Sequence, residues 1–290
     1  LTMVYYRKRK EREAMEKITR VFMTGMLCLL VSGCNNSGNS TAAKEQQETL
    51  FNELNRAAEK CVERGNLQID WQYAGQQDLK CDGKELEEIN VGPSRNITLY
   101  DFKHQRSISY FYALEDADPQ AEDKIGMACS YINGYYVELS FAEVQGKRTF
   151  QKAENRRNKR REAFPYTEND FAMIVRDVDK DYFHIEKEEN DKEIVYTLTM
   201  SDKDQTNQRY KQDAQERGED AMRIDNCTLD TNEIIDQKLV YHVNTDGYLS
   251  LVEASTTWQI NDVKKEVKYT ASYETFDTFD SSVFEEAITY

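Results

Sequence analysis

The chain has 290 residues, of which 31% are charged, and its formal net charge is −15 at pH 7. This acidic balance argues against binding nucleic acid, because such binding depends on Lys and Arg side chains that neutralise phosphates. It argues equally against flat docking on an anionic membrane, which uses polybasic patches. The high charge content predicts a thin core, which favours a sheet with one solvated face over a compact α/β enzyme.

The first 33 residues have the features of a targeting segment. Lys17 and Arg20 accompany an apolar run over residues 18–31. The run is shorter than the roughly 20 apolar residues that span a bilayer, and its length suits the central region of a signal peptide. The sequence Val-Ser-Gly-Cys at residues 31–34 then resembles the lipobox of bacterial lipoproteins.

The lipobox resemblance implies cleavage before Cys34 and diacylation of its sulfur. The remaining chain would then be anchored to the cell membrane on the extracytoplasmic side, since two acyl chains hold a protein stably. We expect translation to begin at Met15, which gives residues 1–33 a signal peptide of ordinary length. The alternative is an uncleaved N-terminal helix with Cys34 as an ordinary thiol.

Residues 34–47 are expected to comprise the lipidated cysteine and a flexible tether, because the stretch after Cys34 is small and polar. Residues 48–290 are expected to form a single domain. Over residues 44–65, apolar side chains recur at steps of three and four, which predicts an amphipathic helix. Gly65 is a natural end for this helix.

After Gly65 the apolar period changes to two, which predicts strands. We expect strands near residues 67–73, 97–99, 108–114, 125–132 and 135–141. Asn133 and Gly134 separate the last two strands. An Asn-Gly pair between alternating apolar residues is a strong signal for a two-residue hairpin.

The centre of the chain interrupts this pattern. A basic cluster occupies residues 156–161, a short helix is predicted at 168–178, and strands resume at 182–188 and 193–200. The cluster is either a contact for anionic headgroups, an anionic polymer or an acidic partner, or a solvated face neutralised by nearby carboxylates.

Residues 201–222 have few large apolar side chains and predict a solvated helix or an ordered loop, with Ser201 or Asp202 as the N-cap. A second meander follows, with strands near residues 239–243, 249–260 and 267–273. A phase slip near Val252 predicts a bulge. A helix, then strands, then helical insertions, then strands is the order of an α+β protein with an antiparallel sheet.

Two hairpin sequences resemble elements of a known family. Residues 131–137 read YINGYYV, and residues 240–249 read VYHVNTDGYL. They are similar to elements of Gram-positive extracellular lipoproteins with a LolA/LppX-like domain. The resemblance implies a curved antiparallel sheet, a half-barrel, whose concave face is covered by helices and holds acyl chains or another apolar ligand.

Aromatic and aliphatic residues at alternate strand positions are the candidates for that inner face and for ligand binding. They are Tyr110, Tyr112, Tyr135, Val137, Leu139, Phe141, Trp258, Tyr269 and Tyr273. The alternative is that these side chains simply pack the sheet against helices, since aromatic residues fill cores far more often than they line cavities.

Catalytic and metal-binding signatures do not stand out in the sequence. The three histidines, His104, His184 and His242, are widely spaced, and the sequence has no nucleophile elbow. Residues 177–188 imitate a calcium loop, but Tyr182 stands where that loop needs glycine. We therefore expect no enzymatic activity, no cofactor and no metal.

Four cysteines follow Cys34, and outside the cytoplasm they permit either two disulfides in three pairings or buried thiols. They are Cys61, Cys81, Cys129 and Cys227.

These features together predict a non-enzymatic, lipid-anchored extracytoplasmic lipoprotein that binds an apolar ligand or a cell-envelope component. The alternative is a structural or interaction lipoprotein whose core is solid and which recruits a protein partner through its acidic surface. In both cases the membrane contact is the diacylglycerol on Cys34, and no nucleic acid is bound.

Overall fold

A computed structural model of the chain describes most of the region after the tether. The described residues are 41–73, 76–82, 85–91, 94–112, 123–150, 160–161, 164, 179–216, 223–224, 227–228, 232–276 and 282–288. The predicted signal peptide, Cys34 and the helix predicted at 168–178 lie outside them.

The first described element is the helix α1, Thr41–Glu63. It begins earlier than expected, so that residues 41–47 are helical rather than part of the tether. Its apolar positions face the sheet, and Phe51 and Leu54 are completely buried. The helix ends before Gly65, whose φ of 85° reverses the chain into the first strand.

The strands follow in chain order. The first eight are β1 Asn66–Tyr73, β2 Gln76–Asp82, β3 Glu85–Val91, β4 Ser94–Asp101, β5 Arg106–Tyr112, β6 Asp123–Ile132, β7 Tyr135–Val144 and β8 Lys147–Phe150. The next five are β9 Arg160–Arg161, β10 Phe183–Glu189, β11 Glu193–Met200, β12 Arg223–Ile224 and β13 Cys227–Thr228. The last three are β14 Asn232–Asn244, β15 Leu249–Ile260 and β16 Val263–Phe276.

Two shorter helices accompany these strands. Helix α2, Lys203–Glu216, precedes β12, and helix α3, Ser282–Ile288, follows β16. Asp202 caps α2, because its Oδ1 accepts a hydrogen bond from the backbone N of Gln205 at 2.9 Å. The structure therefore selects Asp202 from the two predicted N-caps.

One 12-stranded sheet dominates the fold. Its strands follow the order β10-β11-β14-β15-β16-β1-β4-β5-β6-β7-β8, and β9 also pairs with β7. Every pair within it is antiparallel. Strand β1 joins two meanders by pairing with β4 on one side and with β16 on the other. The predicted α+β class with an antiparallel sheet is confirmed.

The predicted local features of the sheet are present at the expected places. Asn133 and Gly134 have φ values of 53° and 75°, which is the pair of positive values that a two-residue hairpin needs. The phase slip predicted near Val252 is a bulge at Ser250, because His242 pairs with Leu251 while Val243 pairs with Leu249.

The register assigns each side chain to one of two faces, since directly paired residues in an antiparallel sheet lie on the same side. The front face carries Leu67 and Tyr100, which pair with each other, and α1 packs against it. The back face carries Ile97 and Tyr110, which also pair, and α3 packs against it.

The protein has two apolar cores on opposite faces of the same sheet. The front core lies between α1 and strands that include β1, β10, β11, β14 and β15. The back core lies between α3 and strands β4 to β8. Strand β4 belongs to both, because it buries Tyr100 on the front and Ile97 on the back. The expectation that helices cover one concave face therefore differs from the observed arrangement.

Candidate functional site

Six of the nine predicted ligand-binding residues meet on the back face. Tyr110 and Tyr112 lie on β5, and Tyr135, Val137, Leu139 and Phe141 lie at alternate positions of β7. The Phe141 ring stands edge-on to both tyrosines, with ring centroids 5.1 Å from Tyr110 and 5.4 Å from Tyr112. Such edge-to-face pairs are favourable beyond the area that they bury.

A glycine on β6 makes this aromatic packing possible. Gly126 pairs with Tyr112 on one side and with Phe141 on the other. A Cβ atom at Gly126 would lie 2.2 Å from the backbone O of Phe111 and 2.7 Å from the Phe141 ring. The absence of a side chain at Gly126 therefore creates the space that Phe141 fills.

A buried charged group closes one end of the aromatic cluster. Glu143 is 8% exposed, and its Oε2 accepts hydrogen bonds from the Tyr112 hydroxyl at 2.7 Å and from Arg148 Nε at 2.8 Å. The Arg148 guanidinium also lies over the Tyr110 ring, 4.4 Å from its centroid. Burial, together with the Glu143 carboxylate, raises the pKa of Tyr112 to about 12.

A second ion pair continues this charged group toward β1. Arg95 Nε donates to Asp70 Oδ1 at 2.9 Å, and the guanidinium lies 5.7 Å from the centroid of the Tyr112 ring. Each of the two arginines thus has a carboxylate partner and an aromatic face, so the group is electrically balanced. It marks the border between the apolar and the solvated parts of the back face.

Sequence reasoning did not find this charged group. Asp70 and Arg95 are separated by 25 positions along the chain, and pairing between β1 and β4 alone brings them together. Charged residues at these positions give no periodic signal. Glu143 and Arg148 are closer in sequence, but it is the pairing of β7 with β8 that places them opposite each other.

Helix α3 covers the back core. Phe284 is 0% exposed and Ala287 is 1% exposed, and the helix contacts β5 and β6. The Arg106 guanidinium lies 4.5 Å from the centroid of the Phe284 ring, while Arg106 Nε donates to Asp101 Oδ2 at 2.7 Å. A buried Phe contributes about 1.5–3 kcal/mol, whereas seven residues are too few for a helix that is stable by itself.

The other three predicted ligand-binding residues lie on the front face. Tyr269 and Tyr273 pack against the front core, and burial raises the pKa of Tyr269 to about 12. The Trp258 ring contacts Tyr210 of α2, with centroids 4.9 Å apart. The prediction of one inner face shared by all nine residues is therefore wrong, because the sheet separates these three from the other six.

His242 lies between two carboxylates on the solvated part of the back face. Its Nδ1 is 3.0 Å from Glu193 Oε2, and its Nε2 is 3.2 Å from Glu253 Oε2. Both ring nitrogens are thus occupied by protein partners, and the Ser250 hydroxyl is directed to the His242 carbonyl O. This arrangement ties β11, β14 and β15 together and does not resemble a nucleophile with its base.

The described residues contain no group of three or more His, Cys, Asp or Glu side chains that could hold a metal ion. Cys61 and Cys129 remain thiols, so the arrangement with two disulfides is not formed. Burial raises the pKa of Cys61 to about 11, and its thiol lies 3.6 Å from the carbonyl O of Leu249.

Neither a scan against protein-family models nor a search of curated proteins found a match to this chain. Among the described residues, no helix is long and apolar enough to cross a membrane. Cys34 lies outside these residues, and of the basic cluster at 156–161 only Arg160 and Arg161 are described, as strand β9.

Proposed function

We propose that this chain is a non-enzymatic, lipid-anchored extracytoplasmic lipoprotein that binds an apolar ligand or a cell-envelope component. In this proposal the diacylglycerol on Cys34 holds the protein at the membrane, and the back core of strands β4 to β8 is the binding surface. The sheet would be a half-barrel of the LolA/LppX type, with the ligand lying along the aromatic cluster.

One observation carries the proposal. Tyr110, Tyr112 and four residues of β7 were expected to bind the ligand, and the antiparallel register brings these six side chains to one face. Small-molecule sites are usually clefts or cavities lined by apolar and aromatic side chains, with a few polar groups that orient the ligand. Here the polar end is formed by Glu143 and Arg148.

A second candidate function is supported by the burial of the same side chains. Tyr110 and Phe141 are 0% exposed and Leu139 is 1% exposed, as in an ordinary core. If this core is solid, the protein is an interaction lipoprotein that recruits a protein partner through its acidic surface. The overall charge of −15 favours a basic partner.

Native mass spectrometry of residues 34–290, extracted mildly from the host membrane, distinguishes the two functions. A binding protein is expected to carry a bound mass that is released on unfolding, in addition to the mass of the anchor itself. A second preparation with Cys34→Ser removes the anchor and serves as the control. Bare protein in both preparations would contradict ligand binding and favour the interaction function.

A further inference from the structure

The cysteines after Cys34 fall into two classes. Cys61 in α1 and Cys129 in β6 are buried free thiols. Cysteine is among the residues that proteins bury most often, and a buried structural thiol is inert. Of the four cysteines after Cys34, the two that remain are Cys81 and Cys227. They are therefore the pair that is left for a disulfide within the chain.

The sequence around each of these two cysteines is polar. Residues 79–84 read LKCDGK, and residues 225–230 read DNCTLD. A cysteine that packs in a core normally has apolar neighbours, because an unoxidised cysteine behaves as a small apolar residue. A cysteine among charged and turn-forming residues, in an oxidising compartment, is instead typical of one half of a disulfide.

The fold brings the two polar segments together. Cys81 pairs with Leu86 in the hairpin of β2 and β3, and Cys227 pairs with Ile224 in the hairpin of β12 and β13. Strands β2 and β12 are in contact, with Cα atoms that approach within 8 Å. A disulfide joins residues whose Cα atoms are about 4.4–6.8 Å apart. Two cysteines that are distant in the sequence thus belong to neighbouring hairpins.

Both hairpins need support from outside themselves. Each forms a two-stranded sheet that is separate from the large sheet, and an isolated two-stranded hairpin is at best marginally stable in water. Strand β2 also contacts β16 of the large sheet. A bond between the hairpins would hold both of them beside β16, and a bond that closes a long loop restricts the unfolded chain strongly.

We propose that Cys81 and Cys227 form a disulfide that joins the β2–β3 hairpin to the β12–β13 hairpin, while Cys61 and Cys129 stay reduced. This inference rests on the proposed function for its compartment alone, because that function places the chain outside the cytoplasm, where disulfides persist.

The bond forms by two exchanges with an oxidoreductase that carries a disulfide. The thiolate of one cysteine attacks the disulfide of the oxidant, forms a mixed disulfide and expels one thiolate of the oxidant. The thiolate of the second cysteine then attacks the first cysteine's sulfur and expels the other thiolate of the oxidant. The chain loses two protons and two electrons, and the oxidant gains them as it becomes a dithiol.

The experiment is differential alkylation of the full chain from its host. The protein is unfolded and treated with iodoacetamide without reductant, then reduced and treated with N-ethylmaleimide. We expect iodoacetamide on Cys61 and Cys129, and N-ethylmaleimide on Cys81 and Cys227. Digestion without reduction should also yield one joined pair of peptides that contains Cys81 and Cys227. Iodoacetamide on both of these cysteines, or a bond from either to a different cysteine, would overturn the disulfide.

Serine variants provide the matched control. Cys81→Ser leaves Cys227 without its proposed partner, so Cys227 should move from the second label to the first. Cys227→Ser should do the same to Cys81 and serves where Cys81→Ser fails to fold. Cys129→Ser removes a thiol outside the proposed bond and should leave the labelling of Cys81 and Cys227 unchanged. Loss of the bond in Cys129→Ser would contradict the proposed pairing.

Fractionation of the host cells before labelling separates this inference from the proposed function. A membrane-bound chain with both cysteines labelled by iodoacetamide would overturn the disulfide and leave the lipoprotein standing. A chain in the cytosolic fraction would overturn the lipoprotein, and the bond is then tested on the purified chain in a mixture of oxidised and reduced glutathione. Formation of the Cys81–Cys227 bond in that mixture supports the pairing, and its absence overturns it.

Discussion

The side-chain amide of Gln47 pairs with the backbone of Ile185 as a neighbouring strand would. Its Nε2 donates to the carbonyl O of Ile185 at 2.9 Å, and its Oε1 accepts from the backbone N at 2.8 Å. Ile185 lies in β10, an end strand of the sheet. Helix α1 thereby covers part of an edge that would otherwise offer backbone groups to another chain.

Helix α2 repeats this arrangement on β14. Asn207 Nδ2 donates to the carbonyl O of Ile234, and Asn207 Oδ1 accepts from its backbone N, both at 2.7 Å. Ile234 lies beyond Lys238, where the pairing of β14 with β11 ends. Two helices therefore use side-chain amides to complete the hydrogen bonding of strand segments that lack a neighbouring strand on one side among the described residues.

We predict that Asn207→Ala destabilises the protein more than Gln47→Ala does. Asn207 is 5% exposed, so the backbone groups of Ile234 lose their partner away from water, at a cost of about 2 kcal/mol. The site of Gln47 is half-buried, so in Gln47→Ala water can replace the missing amide as the partner of the Ile185 backbone. The free energy of unfolding should then fall by only about 1 kcal/mol. Urea unfolding of the two variants checks the order, and equal losses would contradict it.

We predict that Gly126→Ala strongly destabilises the back core. The new Cβ would meet the backbone O of Phe111 at 2.2 Å, and a backbone atom cannot rotate away, so the cost reaches the upper part of the 1–3 kcal/mol typical of overpacking. Gly134→Ala is the matched control, because its Cβ would meet no atom within 4 Å and only its φ of 75° opposes the change. A smaller loss for Gly126→Ala than for Gly134→Ala would contradict the proposed packing.

We predict that the Asp101–Arg106 pair stabilises the protein at neutral pH and not in acid. Burial by itself would raise the pKa of Asp101, but the hydrogen bonds from Arg106 and His104 outweigh it and lower the pKa. A carboxyl group whose pKa is lower in the folded protein than in the unfolded chain stabilises the fold at pH values above the unfolded-chain pKa, which is about 4. That stability is lost as the pH falls through the lower value of the folded state.

Asp101→Asn should therefore destabilise the protein at pH 7, and the difference from the parent should narrow as the pH falls below about 4. Thermal or urea unfolding of both proteins across pH 2–7 measures this difference in stability. Asp236→Asn, at an exposed position of β14, is the control for a general effect of removing a carboxylate. A difference that stays constant from neutral to acid pH would count against the buried pair.

We predict that Cys34→Ser releases the protein from the membrane. In the proposed function the sulfur of Cys34 carries the lipid anchor, and the acidic chain has little other attraction for anionic lipid. On fractionation of host cells, the Cys34→Ser variant should appear in the medium or in the soluble envelope fraction rather than in the membrane fraction. Continued retention in the membrane would contradict the anchor.

The helix α1, the Asn133–Gly134 hairpin and the second meander could be predicted because their signals are local. A helix repeats its apolar face at 3.6 residues and a strand at two, and turn residues satisfy their own backbone requirements. The pairs Asp70–Arg95 and Glu143–Tyr112 could not be predicted in this way. Each joins different strands, and neither strand carries a sign of which partner it meets.

The sequence by itself determined the α+β class, the antiparallel meanders and the apolar stripe of each element. Only the tertiary structure decided that these stripes form two cores on opposite faces of one sheet. The reason lies in the pairing of β1 with β4. Leu67 of β1 pairs with Tyr100 of β4 on the front face, and Asp70 of β1 pairs with Ile97 of β4 on the back face. A slip of one residue would exchange the faces of every side chain in that strand, and that register is set by long-range pairing rather than by any local pattern.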